Sequence, residues 1–147
     1  IWPHDNAMIA LGLGRYGRND SVVKLLSALY GASLHMNLYR LPELYCGFSH
    51  GGEGQGPTLY PVACSPQAWA SASLLGILKA ALGLRFDAKN RTLMLDRPAL
   101  PTFIDELSFA NLRVGKDQLD LTLRREGGSV AAAVPRRTGD VDVVVIH

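Results

Sequence analysis

The stretch CSPQAWASASLLGILKAALG, residues 64–83, decides the fold of the first half of the chain. Ser65 followed by Pro66 predicts a helix start, because serine caps free N–H groups and proline tolerates the first helical position. Gly83 predicts the end of this helix. Lys79 is its only charged residue, and a helix that is apolar nearly all round is buried on more than one side. This helix therefore requires several neighbours.

Two further helices are predicted upstream of this stretch. The segment HDNAMIALGLGRYG, residues 4–17, offers Asp5 or Asn6 as an N-cap and Gly17 as a stop. The segment NDSVVKLLSALYGASLHM, residues 19–36, carries apolar residues at i, i+3 and i+4 spacing. Because three helices cannot cover all these apolar faces, we expect the helical half to pack against polypeptide outside this chain.

The pattern changes after residue 83, where short alternating runs separated by turn signals predict strands. In QLDLTLR, for example, three leucines fall on one face, namely Leu119, Leu121 and Leu123. Several short antiparallel strands with one solvated face predict a small sheet or sandwich packed against the helices. The predicted fold class is therefore α+β, with a helical unit at 1–83 and a β-rich unit at 84–147.

The composition excludes several classes of function. The formal net charge of the 147 residues is +2, which is too small to indicate a nucleic-acid or anionic-membrane partner. No uninterrupted apolar run reaches the roughly 20 residues needed to span a bilayer. Four histidines share no metal-ligand spacing, namely His4, His35, His50 and His147. We therefore predict no metal, no cofactor, no nucleic acid and no membrane.

The two cysteines, Cys46 and Cys64, lie outside any CxxC pattern. A secreted disulfide scaffold is far richer in cysteine, so free thiols in a reducing compartment are favoured over a disulfide. The predicted location is cytoplasmic. No signal peptide follows Ile1, and the chain does not begin with methionine. The sequence is therefore interpreted as processed, truncated or excised from a longer protein.

Four carboxylates in the helical half are candidates for acid or base chemistry. Asp20 is explained as a helix cap. Glu53 lies in the glycine tract SHGGEGQGP, residues 49–57, which is expected to be flexible and solvated. This tract lacks the GK[ST] ending of a phosphate-binding loop. Asp5 and Glu43 remain as the two candidates.

Asp5 and Glu43 both occur beside aromatic residues. Asp5 follows Trp2 closely, although it serves equally well as an N-cap. Three aromatic residues lie near Glu43 in the sequence, namely Tyr39, Tyr45 and Phe48. A salt bridge to Arg40 is the structural alternative for Glu43. Two acids beside aromatic rings suit sugar cleavage, since one protonates the leaving oxygen, one activates water, and the rings stack on sugars.

Four ordered motifs carry a resemblance to a known family, namely WPHDNAMIALGLGRYG (2–17), YRLPELYCGF (39–48), YPVACSPQAWA (60–70) and LPTFIDELSFANLRVG (100–115). Together they resemble the C-terminal end of bacterial glycogen-debranching, amylo-α-1,6-glucosidase-type proteins. These belong to the (α/α)6-barrel glycosidases, which are inverting enzymes built on a toroid of twelve helices. The resemblance implies the last helices of an (α/α)6 toroid followed by a small antiparallel β-sheet or sandwich tail.

The resemblance also implies roles for individual residues. Glu43, in the LPEL motif, matches the glutamate that acts as general base and activates water. Trp2 and Asp5, in WPHDN, match the segment that lines the −1 sugar subsite. Gln67, in SPQAW, is a further candidate at the pocket rim, whereas Trp69 is expected to pack the last helices of the barrel. The glycine tract is expected to form a mobile rim loop beside Glu43.

The chain departs from the family in one respect that matters for catalysis. Only the last three or four barrel helices are present, and no segment matches the loop that carries the general acid. Inversion needs two carboxyl groups about 6.5–9.5 Å apart with water between them. We therefore expect the isolated chain to be inactive, with the missing part of the barrel or another copy as its partner and an α-glucan as substrate. The alternative function is a non-catalytic carbohydrate-binding or assembly module.

Overall fold

The computed structural model describes residues 1–49 and 54–147. Within them, the secondary structure elements are α1 Pro3–Arg15, α2 Asn19–Ser33, a 3-10 turn Asn37–Tyr39, α3 Ala68–Ala81, β1 Leu84–Asp87, β2 Thr92–Asp96, β3 Glu106–Val114, β4 Asp117–Glu126, β5 Ser129–Thr138 and β6 Asp142–Ile146. All the described helices precede residue 83 and all the described strands follow it, so the α+β class is confirmed. The origin of the helices in a toroid stays a prediction.

The helices α1 and α3 run parallel and pack closely through small residues. Ala7 lies against Gly76, and Gly14 lies against the backbone of Ala80. A Cβ atom on Gly14 would be only 3.1 Å from the Ala80 carbonyl oxygen, so glycine allows this approach. Helix α2 follows α1 after a short connection and contributes leucine and valine side chains to the same core.

The first helix begins earlier than its sequence predicts. Trp2 is the N-cap, without a side-chain hydrogen bond, and Pro3 is the first helical residue. Asp5 and Asn6 are therefore inside the helix, and their predicted capping role is wrong. Proline favours this start because its missing N–H would have no partner in a first turn. At the other end, Gly17 has a φ of 71° and follows the last turn, which confirms it as the stop.

The third helix begins later than its sequence predicts. Ser65 and Pro66 precede the helix, and Gln67 is its N-cap. The Gln67 backbone is extended, with a φ of −122°, and its N–H donates to the Leu41 carbonyl oxygen at 3.2 Å. No described side chain caps this start, so the capping role predicted for Ser65 is wrong.

The strands form two three-stranded sheets. In one, β3, β4 and β5 are antiparallel neighbours. In the other, β2 pairs antiparallel with β1 and parallel with β6. The parallel pairing corrects the prediction of an entirely antiparallel tail. Strand β1 was not predicted, because its four residues are too few for a reliable alternating pattern.

Both sheets share one hydrophobic core. The core includes Leu93 and Leu95 of β2 and three leucines of β4, namely Leu119, Leu121 and Leu123. The alternation predicted for these leucines is confirmed, since each is at most 1% exposed. Leu78 of α3 packs against this core and also against the core of the helices. Helix α3 therefore joins the two halves of the chain.

Several large apolar side chains of the helices face outward. Met8 and Ile9 on α1 and Leu75 on α3 are all more than half exposed. Neighbours for these faces were expected outside the chain, and within the described residues they are uncovered. None of the described helices is long and apolar enough to cross a membrane. Cys46 and Cys64 are free thiols, as predicted.

Candidate functional site

The segment of residues 41–45 connects the starts of α1 and α3. On one side, the amino group of Ile1 donates to the Tyr45 carbonyl oxygen at 2.6 Å, and the Tyr45 N–H donates back to Ile1 at 2.9 Å. On the other side, the Glu43 N–H donates to the Cys64 carbonyl oxygen at 2.8 Å. Three separate parts of the sequence therefore meet at one junction, which we call the helix-start junction.

Glu43 lies at the middle of the helix-start junction and is half-buried. Its Oε2 atom accepts the Cys64 N–H at 3.3 Å. Within residues 1–49 and 54–147, Glu43 forms no ion pair with Arg40, which is exposed. The alternative of a salt bridge to Arg40 is therefore wrong. A carboxylate can accept about four hydrogen bonds, so Glu43 retains acceptor capacity for water or a ligand.

An aromatic cluster lies at the start of the two parallel helices. The Trp2 and Trp69 rings are 6.5 Å apart between centroids, edge to face. The His4 ring stacks on Trp69 at 4.9 Å, with an interplanar angle of 15°. Trp2 is 38% exposed and Trp69 is 48% exposed. These two indoles together present an aromatic surface to solvent, on which a flat apolar ligand face can stack.

Asp5 is in the first turn of α1, where a negative charge interacts favourably with the helix N-terminus. Its side chain is 66% exposed. The Oδ1 atom of Asp5 is 3.5 Å from Nδ1 of His4, the residue that stacks on Trp69. Asp5 is therefore placed beside the aromatic cluster as an accessible hydrogen-bond acceptor.

Gln67 is tied to the helix-start junction by its backbone bond to Leu41. The side-chain amide oxygen of Gln67 is buried and has no hydrogen-bond donor among the described residues. Buried polar atoms are nearly always paired. The Gln67 amide oxygen is therefore an unsatisfied polar atom at the start of α3, and it is not exposed to solvent.

The structure brings the four predicted site residues to one end of the helical unit. Trp2 and Asp5 are at the start of α1, Gln67 is at the start of α3, and Glu43 is on the segment between them. Their roles stay predictions. The predicted rim loop lies partly outside the described residues, which omit positions 50–53.

Sequence reasoning missed two members of the aromatic cluster. His4 was considered only as a metal ligand, and Trp69 was expected to pack between helices, yet it is nearly half exposed. The signal was present in their positions, since Trp2 and Trp69 each occur at the start of a helix. The starts of α1 and α3 meet because these helices are parallel neighbours. The sequence alone does not reveal which helices are neighbours.

A cavity of about 420 Å³ lies beside Tyr45, between α2 and the start of α1. Its walls include Leu25, Leu29 and His35, but not Trp2, Asp5, Glu43 or Gln67. The Tyr45 hydroxyl group is buried and has no partner among the described residues. Burial raises the pKa of Tyr45 to about 12. This cavity is therefore separate from the Glu43 carboxylate.

The described residues contain no cluster of three or more His, Cys, Asp or Glu side chains that could hold a metal ion. The functional groups at the helix-start junction and in the aromatic cluster beside it are carboxylates, an amide, an imidazole and two indoles. Comparison with known proteins adds no family to this picture: no protein-family model matches the chain, and no curated protein matches it.

Proposed function

We propose that this chain is the C-terminal part of an inverting glycoside hydrolase that acts on α-glucans, in the manner of amylo-α-1,6-glucosidases. In this proposal Glu43 is the general base, and Trp2, Asp5 and Gln67 bind the sugar. The observation that carries it is the helix-start junction, because its hydrogen bonds hold Glu43 between the start of α1 and the residues that precede α3.

The environment of Glu43 supports the role of a base. A base that activates water must be ionised and must reach a water molecule. Glu43 accepts one described hydrogen bond, from Cys64, and forms no ion pair with Arg40 in the described part of the chain. Its carboxylate can therefore accept a hydrogen bond from the water that attacks the sugar.

The groups around the junction suit a carbohydrate. Sugars combine apolar ring faces, which stack on aromatic side chains, with hydroxyl groups that donate hydrogen bonds. The exposed rings of Trp2 and Trp69 supply the stacking surface. The exposed Asp5 carboxylate supplies an acceptor for sugar hydroxyl groups.

Catalysis in this proposal needs a second carboxylic acid from outside the chain. The resemblance assigns Asp5 to binding, so the general acid comes from an earlier part of the barrel or from another copy. The exposed apolar residues on α1 and α3, namely Met8, Ile9 and Leu75, support such a partner. The partner would cover these faces and bring the acid to the opposite side of the sugar from Glu43.

A non-catalytic carbohydrate-binding module is the second candidate. It is favoured by the exposed Trp2–Trp69 pair, because stacking requires no catalytic acid. Both functions predict binding of α-glucans, and only the first predicts that Glu43 carries out chemistry.

Sugar binding is tested by titrating the protein with maltooligosaccharides and following tryptophan fluorescence and heat of binding. We expect Trp2→Ala and Trp69→Ala each to weaken binding by about fivefold, since a stacked ring contributes on the order of 1 kcal/mol. Phe86→Ala is the matched control, because Phe86 is 46% exposed but lies on β1. Equal affinities for all four proteins would contradict both candidate functions.

The two candidates are separated with the native gene product. For the hydrolase, we expect an intact mass larger than that of this chain, hydrolysis with inversion, and a loss of at least about 100-fold in kcat for Glu43→Gln. Binding should persist in this variant. A native product that binds α-glucans, does not hydrolyse them and is unaffected by Glu43→Gln would support the binding module. Hydrolysis by the isolated chain would instead show that it contains its own acid.

A further inference from the structure

A second cavity, of about 380 Å³, lies at the other end of α1 and α3, where the chain enters the first sheet. Its walls include three cationic residues, namely Arg15, Lys79 and Arg85. Asp96 is the one carboxylate on its wall among residues 1–49 and 54–147, and Leu11 and Leu84 form part of its apolar floor. We call this the basic cavity.

The convergence of these cations follows from the fold. Arg15 is in the last turn of α1 and Lys79 is in the last turn of α3, where positive charge interacts favourably with the helix dipole. Because α1 and α3 are parallel neighbours, their last turns lie side by side. Gly83 then turns the chain into β1, which brings Arg85 to the same cavity.

The carboxylate in the basic cavity is already engaged. Asp96 is 3.2 Å from the Arg85 guanidinium and 3.1 Å from that of Arg97. Within residues 1–49 and 54–147, no carboxylate lies within 4.0 Å of the charged groups of Arg15 or Lys79. Among the described residues these two cations therefore have no carboxylate partner, and the partial negative charges at the ends of α1 and α3 offset only part of their charge.

The net charge of the basic cavity equals the net charge of the whole chain. The three cations and one carboxylate that the described residues place on its wall give +2, and the formal charge of all 147 residues is also +2. The remaining residues therefore sum to zero. An anion entering the basic cavity would neutralise like charges that the fold places side by side.

We propose that the basic cavity binds a small molecule that carries a phosphate group. An arginine guanidinium matches two phosphate oxygens at once, and a lysine adds a point charge. The cavity volume falls within the range of about 300–1,000 Å³ typical of small-molecule sites. The apolar floor at Leu11 and Leu84 accommodates the organic part of a phosphate ester.

This site is independent of the proposed sugar site. The 13 residues of α1 span about 20 Å, with Trp2 at one end and Arg15 at the other. Loss of phosphate binding therefore leaves the proposed hydrolase function untouched, and loss of sugar binding leaves the phosphate site untouched.

The test is isothermal titration of the full chain with inorganic phosphate and with glycerol 3-phosphate, at constant ionic strength set with sodium chloride. We expect Lys79→Gln and Arg15→Gln each to weaken binding by about tenfold. Lys24→Gln is the matched control. Lys24 is exposed on α2, away from the basic cavity, and its substitution removes the same charge as Lys79→Gln. It should bind like the unmodified protein.

Two outcomes support the proposal and identify the ligand. Tighter binding of glycerol 3-phosphate than of inorganic phosphate assigns the organic part to the apolar floor. Equal binding of both assigns the site to the phosphate group alone. Two other outcomes overturn the proposal. One is that neither probe binds measurably. The other is that Lys24→Gln and Lys79→Gln weaken binding equally, because binding would then depend only on the overall charge of the protein.

Discussion

Tyr45 combines two roles in a single residue. Its backbone pairs with Ile1 at the helix-start junction, and its side chain is 2% exposed. The hydroxyl group loses its hydrogen bonds to water on folding, and no described residue replaces them. A buried hydroxyl without a partner destabilises the folded state by about 1–3 kcal/mol. The aromatic ring is therefore the stabilising part of this side chain.

The substitution Tyr45→Phe is expected to leave stability at pH 7 unchanged or to raise it by about 1 kcal/mol, because it removes only the unpaired hydroxyl. In the unmodified protein, the pKa of Tyr45 is about 12 when folded and about 10 when unfolded. The folded state holds the proton more tightly, so ionisation of Tyr45 does not change the free energy of unfolding below pH 10 and lowers it as the pH rises from 10 to 12.

Urea unfolding at a series of pH values checks this prediction. The unmodified protein should lose stability above pH 10 more steeply than Tyr45→Phe. Tyr16→Phe serves as the control, because Tyr16 is 86% exposed, and its alkaline profile should match that of the unmodified protein. If the free energy of unfolding fell equally with pH in Tyr45→Phe and in the unmodified protein, the assignment of the raised pKa to Tyr45 would be contradicted.

The pairing of α1 with α3 is the element-scale feature on which both candidate sites depend. It brings Trp2 to Trp69 at one end and Arg15 to Lys79 at the other. The close approach occurs at Gly14, next to the Ala80 carbonyl. That carbonyl oxygen also accepts the Gly83 N–H at 3.1 Å, so displacing it would disturb the end of α3.

Two glycines of α1 therefore have opposite expected responses to alanine. Gly12→Ala should raise stability by about 0.5–1 kcal/mol, because alanine favours a helix and no described atom beyond the adjacent turns of α1 lies within 4 Å of the new methyl group. Gly14→Ala should lower stability, because its methyl group would press on the Ala80 carbonyl. Thermal unfolding of both variants tests this, and equal stabilisation by both would show that α1 and α3 are farther apart than described.

Features that depend on neighbouring residues could be predicted from the sequence. Leu119, Leu121 and Leu123 alternate along one strand, and Gly17 ends a helix by its own backbone conformation. Features that depend on distant partners could not. The helix α3 begins after Ser65, next to a hydrogen bond from Gln67 to Leu41, which is 26 positions earlier in the sequence.

The sequence predicted residues for the candidate site, and their roles stay predictions, but it did not predict their arrangement. The motifs around Trp2, Glu43 and Gln67 identified three separate segments, and hydrogen bonds among those segments bring them together. The aromatic surface was missed, since the exposure of Trp69 depends on which helices surround it. Side-chain burial is a property of the packed molecule and has no local sequence signal at this position.

At the scale of the whole molecule, the end of α3 connects the helices to the sheets. Leu82 is fully buried in the core of the sheets, one residue after the last helical residue. Tyr30 of α2 also stacks on Phe103, which precedes β3, at 5.1 Å. These contacts indicate that the helical unit at 1–83 and the β-rich unit at 84–147 unfold together.

Leu82→Ala is expected to destabilise the protein by about 2–5 kcal/mol, because it leaves a cavity in the core. Leu75→Ala, at a site 71% exposed on the same helix, should change stability by less than about 0.5 kcal/mol. Tryptophan fluorescence, which reports on the helices, and far-ultraviolet circular dichroism should follow one unfolding transition. Two separate transitions would show instead that the two units are independent domains.

From the parallel pairing of β2 with β6 we expect these two strands to be the last neighbours to pair during folding. The meander of β3, β4 and β5 closes through short turns, and so does the hairpin of β1 and β2, at a small loss of chain entropy. Thr92 pairs with Asp142, fifty positions later, and contacts so far apart in sequence form slowly. During folding, β2 therefore presents an unpaired, leucine-rich edge until β6 arrives, and such an edge invites pairing with another nascent molecule.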